Sequence, residues 1–257
     1  MSGHSKWAGI KHKKAIVDAK RGQIFTKVAR ELTVSARDGG PDPTSNFRLR
    51  LTIQKAKEVN MPADNIERAI ARGAGGKDGA QLEEIRYEGY GPHGVAVMID
   101  VLTDNRNRTV AALRNIFTRA GGTLGETNSV GYMFTKLGVI RVAAGTADAE
   151  ELALRILDAV DVGADGDVRD DDGVVEIITA PTEFERVRAA VEEQGHVVES
   201  ADVTMQPSTS VTLDEKQAGQ ILRFLDALEE NDDVQEVHAN PDIPDAVLEA
   251  LDAAAAG

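Results

Sequence analysis

The sequence predicts an α+β fold with three domains, in which a small helical domain precedes two domains that pack helices against a sheet. Three observations predict this fold. Apolar residues recur with helical spacing in the first third of the 257 residues, a glycine-rich segment at residues 73–81 interrupts that pattern, and units of helix, turn and strand follow it. Residues 192–200 and 229–237 each contain a helix end, a two-residue break and a strand, so the later units repeat.

The helical domain is predicted to span residues 1–79. Apolar side chains keep helical spacing over residues 24–36, and a pair of glycines then ends the first helix. A second helix is predicted at about residues 45–59, where strong helix formers run on without a turn signal. A third helix has Pro62 in its first turn and Gly73 just past its end.

The two α+β domains are predicted to interleave. Residues 80–142 and 209–257 form one of them, and residues 143–208 form an acidic domain inserted into it. Each sheet closes most simply from two βαβ-like halves, which is a ferredoxin-like arrangement. Helices are predicted at 109–122, 149–160, 182–195 and 215–231, and strands at 94–102, 131–134, 138–142, 173–180, 196–205 and 234–240.

Charge is divided unevenly along the chain. Residues 1–79 hold 16 lysines and arginines against 8 carboxylates, whereas residues 143–257 hold 6 against 29, and the whole chain has a formal net charge of −14. A basic domain can approach a polyanion while an acidic body keeps the protein soluble and limits indiscriminate binding. The alternative interpretation is a solvated surface with no partner, because uneven charge alone is a weak signal.

Composition excludes several classes of protein. The chain has no cysteine, which excludes disulfides, thiolate zinc sites and cysteine nucleophiles. It has no run of about 18 apolar residues, so no transmembrane helix and no membrane partner are predicted. The basic amino terminus is not followed by the apolar segment of a secretory signal, and a cytoplasmic protein is therefore expected. A monomer is favoured, although the sequence leaves the oligomeric state open.

Lysines and arginines crowd the opening segment SGHSKWAGIKHKKAIVDAKRGQIFTK, which holds a single aspartate. Such side chains neutralise phosphates and release counterions without reading base sequence. In the second predicted helix, Arg48 and Lys55 share one edge while Arg50 and Lys57 share nearly the opposite one, so at least one pair should brace acidic neighbours or line a groove. The predicted nucleic-acid contacts are Lys6, Lys11, Lys13, Lys14, Lys20, Arg21, Lys27, Arg48 and Arg50.

Three further residues are candidate contacts to RNA or to a protein partner. Trp7 could stack on an unpaired base, or it could belong to the core of the helical domain. Arg106 and Arg108, in the motif TDNRNRT, lie at the start of a helix that Asp104 and Asn105 could cap. The alternative for this motif is a turn between a strand and a helix with no binding role.

No group of residues predicts catalysis, a metal or a cofactor. His4 and His12 lack the companion ligands of a metal site, and His93 lies between glycines without a nucleophile or a second base. Residues 165–176 place aspartates at two positions of a calcium loop but lack its central glycine, so an exposed hairpin is predicted there. GAGGKD follows a helix and lacks the serine or threonine of a phosphate loop. The sequence therefore predicts a protein that is not an enzyme.

Seven motifs in order resemble the YebC/PmpR family. They are GHSKWAGIKHKK, DAKRGQIFTK, GGPDPTSNFRLR, AKEVNMPADNIERAI, YEGYGPHGVAVMID, TDNRNRT, and GGTLG followed by SVGYMF. The resemblance covers nearly the whole chain and is most specific over residues 3–72 and 87–134. Two positions depart from the family pattern, since Phe47 replaces a frequent proline and Asn128 replaces a frequent glycine. Asn128 should keep the turn, because asparagine tolerates left-handed backbone.

The resemblance implies three domains, a cytoplasmic location and regulation linked to nucleic acid. Members are commonly described as probable transcriptional regulators that bind DNA, and this is the leading interpretation. The first alternative is a ribosome-associated translation factor that binds ribosomal RNA, because the family includes the mitochondrial translational activator of cytochrome c oxidase. The second alternative is a protein–protein adaptor that uses the acidic carboxy-terminal half. Dispersed lysines without a clear recognition helix favour contacts to backbone and shape over contacts to bases.

Overall fold

The computed structural model describes residues 18–75, 82–144, 148–164, 166–171, 173–244 and 246–248. The chain divides into two compact units, one containing the described residues up to 131 and from 210 onward, and the other containing residues 132–209. Within the described ranges, every helix is too short or too polar to cross a bilayer. An α+β fold with a helical amino-terminal region and two sheet-containing parts is confirmed.

The helices and strands follow one another in mixed order along the chain. They are α1 (Asp18–Gly39), α2 (Phe47–Glu58), α3 (Ala63–Ala74), β1 (Glu83–Tyr90), β2 (Ala96–Thr103), α4 (Arg106–Ala120), β3 (Thr123–Leu124), β4 (Phe134–Ala143), α5 (Ala149–Ala159), β5 (Asp167–Asp171), β6 (Val174–Thr179), α6 (Phe184–Glu193), β7 (Val198–Pro207), β8 (Val211–Thr212), α7 (Glu215–Glu229), β9 (Val234–Ala239) and β10 (Pro241–Asp242). Single turns of 3-10 helix at Pro92–Gly94 and Gly131–Met133 precede β2 and β4.

Helices α1, α2 and α3 form the helical region around a small apolar core. Val28 and Leu32 of α1 pack there with Leu49 of α2 and Ile66 of α3. The buried side chain of Asn46 joins the first two helices, because its oxygen accepts a hydrogen bond from the Leu49 amide at 3.0 Å while its nitrogen donates to two carbonyls near the end of α1. This cap fixes the start of α2, which is the helix predicted at residues 45–59.

Gly73 lies inside α3 rather than just past its end, so that prediction was wrong. A Cβ atom at this position would lie 2.2 Å from the carbonyl oxygen of Thr33 on α1. The glycine is therefore required where two helix backbones approach each other. The helix continues to Ala74, and Gly75 follows as its cap.

The first sheet has the antiparallel order β3-β1-β2-β9, and α4 and α7 cover one face of it. Every second residue of β2 packs against these helices. In the same core, Phe117 of α4 and Phe224 of α7 meet edge to face, with their ring centroids 5.0 Å apart. Strand β9 and helix α7 come from the carboxy-terminal part of the chain. Strand β9 pairs with β2 at the edge of this sheet, and α7 packs against its face. Strand β1 is absent from the sequence-based prediction.

The second sheet has the antiparallel order β5-β6-β4-β7 and the connectivity β4-α5-β5-β6-α6-β7. This order and connectivity are ferredoxin-like. The first sheet has the same spatial order of equivalent strands, but its strand β1 precedes β2 in the chain instead of following β3. One detail of the prediction was wrong, since the short strands at 131–134 and 138–142 are replaced by one strand, β4. The hairpin predicted at residues 165–176 is confirmed, because β5 and β6 pair antiparallel there.

Candidate nucleic-acid interface

The predicted contacts of the opening segment fall mainly outside the described residues. Lys6, Trp7, Lys11, Lys13 and Lys14 all lie there. The backbone of Lys20 and Arg21 forms the first turn of α1, and their side chains are outside the described part as well. The geometry of the interface is therefore built from the cations of α1, α2, α3 and α4 that the structure does describe.

Lys27 lies on α1 beside the carboxyl end of α7. Its ammonium group donates a hydrogen bond to the carbonyl of Glu229, the last residue of that helix. Gln23, one turn earlier on α1, donates to the carbonyl of Glu230. Carbonyls at the end of a helix lack partners within the helix and carry partial negative charge, so a cation is favoured there. Lys27 thus joins the helical region to α7.

Arg48 forms a two-pronged ion pair with a carboxylate of the first sheet. Its Nη1 and Nη2 atoms lie 2.9 and 3.0 Å from the two carboxylate oxygens of Glu84 on β1. Burial works to lower the pKa of Arg48, but the bonds to Glu84 outweigh that effect and the pKa is raised. Both side chains remain about half exposed, at 40% and 51%. Water and phosphate can therefore still reach this arginine.

Lys55 also meets carboxylates, as expected for one pair of the second basic group. Its Nζ atom lies 2.8 Å from Glu236 on β9 and 3.7 Å from Glu31 on α1. Arg48 and Lys55 share one edge of α2, and the prediction that a pair on this helix braces acidic neighbours is confirmed. Arg50, on the other side, donates to the carbonyl of Pro43 at 2.8 Å.

Asp233, just before β9, binds the side chains of two arginines and two threonines. Its carboxylate lies 3.1 Å from Nη1 of Arg30 and 2.9 Å from Nη2 of Arg108, and it accepts hydrogen bonds from the hydroxyls of Thr109 at 2.7 Å and Thr103 at 3.3 Å. Burial alone would raise the pKa of this aspartate, but the bonds from Thr109 and Arg108 outweigh it and lower the pKa. Asp233 therefore stays ionised and holds α1 and α4 together.

The motif TDNRNRT is a strand-to-helix turn, and its two arginines have different roles. The side chain of Asn105 caps α4 by accepting a hydrogen bond from the Arg108 amide at 3.1 Å, as predicted. The guanidinium of Arg108 is held by Asp233 and, at 2.8 Å, by Asp104. Arg106 is exposed on the first turn of α4, and it has no polar partner within the described part of the chain. Arg106 is thus the arginine of this motif that is open to a ligand.

A groove of about 530 Å³ runs between α1 and α3, and we call it the α1–α3 groove. Its cations are Arg30 on α1 and Arg68 and Arg72 on α3. Phe25 and Met61 contribute apolar surface to the same groove. Asp104 lies at its rim, so the groove adjoins the turn that carries Arg106.

Two arginines of this groove, Arg68 and Arg72, were not among the predicted contacts. They lie four residues apart in NIERAIARG, and that spacing places both on one face of a helix. Arg68 donates to the carbonyl of Asp64 at 3.0 Å and to the side chain of Asn65 at 2.6 Å. Arg72 is exposed and has no hydrogen-bond or ion-pair partner among the described residues. The helical spacing was the signal that could have identified this pair.

One group of potential metal ligands lies on the first sheet. Within the described ranges, Asp100, Glu236 and His238 bring their ligand atoms within 4.8 Å of one another. Arg86 already binds both oxygens of Asp100, at 2.7 and 3.0 Å, and Lys55 binds Glu236. Burial alone would raise the pKa of Asp100, but the hydrogen bonds from His238 and Arg86 outweigh this effect, so the pKa is lowered. The two cations balance the two carboxylates, so this group is a structural ion-pair network.

Comparison with known proteins identifies the family of this chain. The family model described as the TACO1/YebC protein N-terminal domain matches residues 5–76, and the model described as the TACO1/YebC second and third domain matches residues 82–241. The chain belongs to the TACO1/YebC family. The resemblance deduced from the sequence motifs is therefore confirmed.

Relatives of this TACO1/YebC family member match nearly its whole length. A protein of Shewanella oneidensis named probable transcriptional regulatory protein is 53% identical over 98% of this chain and 100% of its own length. A protein of the same name from Moorella thermoacetica is 51% identical over 98% of this chain and 100% of its own. The crystal structure of a conserved hypothetical protein from Aquifex aeolicus is 48% identical, covers 93% of this chain and 97% of its own, and has a TM-score of 0.79.

The two departures from the TACO1/YebC pattern have simple structural consequences. Asn128 has a φ of 65°, so the prediction that asparagine keeps a left-handed turn there is confirmed. Its amide donates to the buried carboxylate of Glu88 at 3.0 Å, and that carboxylate also accepts the amides of Val130 and Gly131. Phe47 is the first residue of α2 and is 37% exposed, and the guanidinium of Arg50 lies 5.6 Å from the centroid of its ring.

Proposed function

We propose that this protein is a nucleic-acid-binding regulator of gene expression, and that it acts first of all as a DNA-binding regulator of transcription. Its relatives are named probable transcriptional regulatory proteins, and residues 1–79 hold twice as many cations as carboxylates. The observation that carries the proposal is the α1–α3 groove with its arginines. The proposed function includes no catalytic step.

The proposed interface combines the opening lysines with the cations that the fold leaves available. Arg68, Arg72 and Arg106 are exposed, and the last two have no polar partner in the described part of the chain. Arg48 and Lys27 already make contacts within the protein, so they contribute to phosphate binding by exchanging those contacts. Cations dispersed over four helices neutralise phosphates along a backbone, and they do not form one recognition helix for base edges.

Crosslinking in cells tests which nucleic acid is bound. The protein is crosslinked, treated separately with DNase and RNase, and recovered to identify the attached nucleic acid. Loss of the attached material on DNase treatment supports a role in transcription. Attachment that survives DNase and is lost on RNase treatment, together with co-sedimentation with ribosomes, would contradict the DNA assignment and favour the translation factor. This alternative draws on the same groove, because backbone contacts suit structured RNA equally well.

Salt dependence tests whether the helical region binds the nucleic acid. Replacing Lys13 and Lys14 with alanine, or Arg72 with alanine, should weaken binding for all sequences and should lower the slope of log affinity against log salt by about 0.9 for each phosphate that is no longer neutralised. Arg223→Ala is the matched control, because Arg223 is an exposed arginine on α7 that does not line the groove. Equal effects of the control and the Arg72 variant would contradict the proposed interface. If none of these substitutions changes the affinity for a binding partner, the result would favour the alternative function, a protein–protein adaptor that binds through its acidic carboxy-terminal half.

A further inference from the structure

We propose that the α1–α3 groove holds an unstacked nucleotide of a single-stranded segment, with the base against Phe25 and the flanking phosphates at Arg68 and Arg72. This inference rests on the proposed function and specifies which part of the nucleic acid enters the site. The protein would then bind the nucleic acid through one unstacked base as well as through the phosphates on either side of that base.

The lining of the groove favours a nucleotide over a bare phosphate backbone. A surface that binds only phosphates needs cations and no apolar wall. Here Phe25 is half-buried and packs against the helical core, and the buried residues Met61 and Ala69 also line the groove. Proteins that bind single strands pair a basic groove with aromatic faces on which bases stack. The groove is open to solvent, and its volume of about 530 Å³ lies within the range of roughly 300–1,000 Å³ usual for ligand-binding clefts.

The charges of the groove are complementary to a nucleotide. Arg72 is exposed without a polar partner among the described residues, and Arg68 uses its Nε and Nη2 atoms to bind neighbours of its own helix, which orients the remaining Nη1 atom. Arginines four residues apart on a helix lie close enough to bind adjacent phosphate oxygens. Asp104, the acidic residue at the rim, is already paired with Arg108, so its charge is offset.

An abasic strand tests this inference with the full-length protein. Fluorescence anisotropy is measured with three labelled oligonucleotides of equal phosphate number: an intact single strand, the same strand with abasic sites throughout, and a duplex. We expect the intact strand to bind about tenfold more tightly than the abasic strand, which corresponds to one base stacked on an aromatic ring. The salt slopes of the two single strands should be equal, because their phosphates are the same.

Substitution of the aromatic ring tests the same point in the protein. Phe25→Leu keeps an apolar side chain against the core but removes the aromatic face, so it should bring the intact strand close to the affinity of the abasic strand. Tyr132→Leu is the matched control, because Tyr132 is a 73% exposed aromatic residue outside the groove. Arg72→Ala should weaken both strands by the same factor. Circular dichroism melting of each variant verifies that it is folded.

The outcomes separate this inference from the function on which it rests. Equal binding of intact and abasic strands by the unaltered protein would overturn the nucleotide site while leaving a phosphate-binding regulator in place. Tighter binding of the duplex than of the intact strand would overturn it as well. No measurable binding to any of the three probes would instead contradict the proposed function.

Discussion

At the scale of single residues, Asp233 shows how a buried carboxylate is stabilised in this protein. The residue is 5% exposed, and an ionised carboxylate at such a position is costly unless its oxygens are bound. Two arginines and two threonine hydroxyls supply those bonds. The partners come from α1, the end of β2 and α4, so one side chain connects elements that precede it by 124 to 203 residues.

Replacing Asp233 with asparagine should lower the free energy of unfolding by about 2 kcal/mol at pH 7, because hydrogen bonds to a charged group each contribute about 1.5–3 kcal/mol and the two arginines stay partly solvated. Urea unfolding followed by circular dichroism measures this change. Asp104→Asn is the control, since Asp104 is 54% exposed and its exposed pair with Arg108 should contribute far less to stability. Equal losses of stability in both variants would contradict the role given to Asp233.

The pH dependence of stability should follow from the same residue. The pKa of Asp233 is lowered in the folded protein, so folding favours its ionised form. The resulting stability is complete above the unfolded pKa of about 3.9 and is lost as the pH falls below it through the folded pKa. Urea midpoints between pH 7 and pH 2.5 should therefore fall more steeply for the unaltered protein than for Asp233→Asn. Parallel curves for the two proteins would show that Asp233 does not contribute to acid unfolding.

At the scale of elements, the crossing of α1 and α3 depends on a glycine. Gly73→Ala would place a Cβ atom 2.2 Å from the Thr33 carbonyl, and because that neighbour is backbone, the helices must move apart. The expected overpacking cost of about 1–3 kcal/mol exceeds the gain of about 1 kcal/mol that alanine brings to a helix. We expect a net loss of roughly 1 kcal/mol in urea unfolding. Gly22→Ala in α1 is the control, because a Cβ there meets nothing within 4 Å and should stabilise the protein.

Most helices could be predicted because each carries apolar residues at helical spacing, and α2, α4, α5 and α7 also begin after a residue whose side chain caps the helix. Strand β1 could not, since EEIRYEGY alternates weakly and its charged residues look solvated. In the structure Arg86 pairs with Asp100, and Glu88 accepts three backbone amides from the loop before β4. The polar face of β1 is therefore used by partners that lie from 14 to 43 residues away. A local pattern contains no information about such partners.

The sequence was enough to predict a basic candidate site in the helical region, but it was not enough to predict which cations are available there. The excess of cations in the helical region is visible in the sequence, whereas the carboxylates that hold some of them are remote. Arg48 is paired with a residue 36 positions away, and Arg108 with one 125 positions away. Arg72 was missed for the opposite reason, because it lies in a helix with few other cations. Availability of a cation is thus a property of the fold.

At the scale of the whole molecule, the division of charge creates a competition within the protein. Cations of the helical region meet carboxylates of the first sheet through Arg48 with Glu84 and Lys55 with Glu236. Exposed ion pairs of this type contribute only about 0–1 kcal/mol each, so a polyanion can exchange with them at little cost. In the proposed interface, the acidic partners would therefore limit indiscriminate binding to phosphate without preventing it.

Releasing one of these cations should strengthen nucleic-acid binding. Glu84→Gln removes the carboxylate that holds Arg48, so Arg48 becomes available to a phosphate, and we expect a two- to fivefold gain in affinity and a rise of about 0.9 in the salt slope. Stability should change by less than about 1 kcal/mol. Glu83→Gln is the matched control, because it makes the same change in net charge at a neighbouring exposed carboxylate that has no polar side-chain partner in the described part of the chain. A gain of equal size in both variants would show that net charge alone sets the affinity and that Arg48 does not reach the nucleic acid.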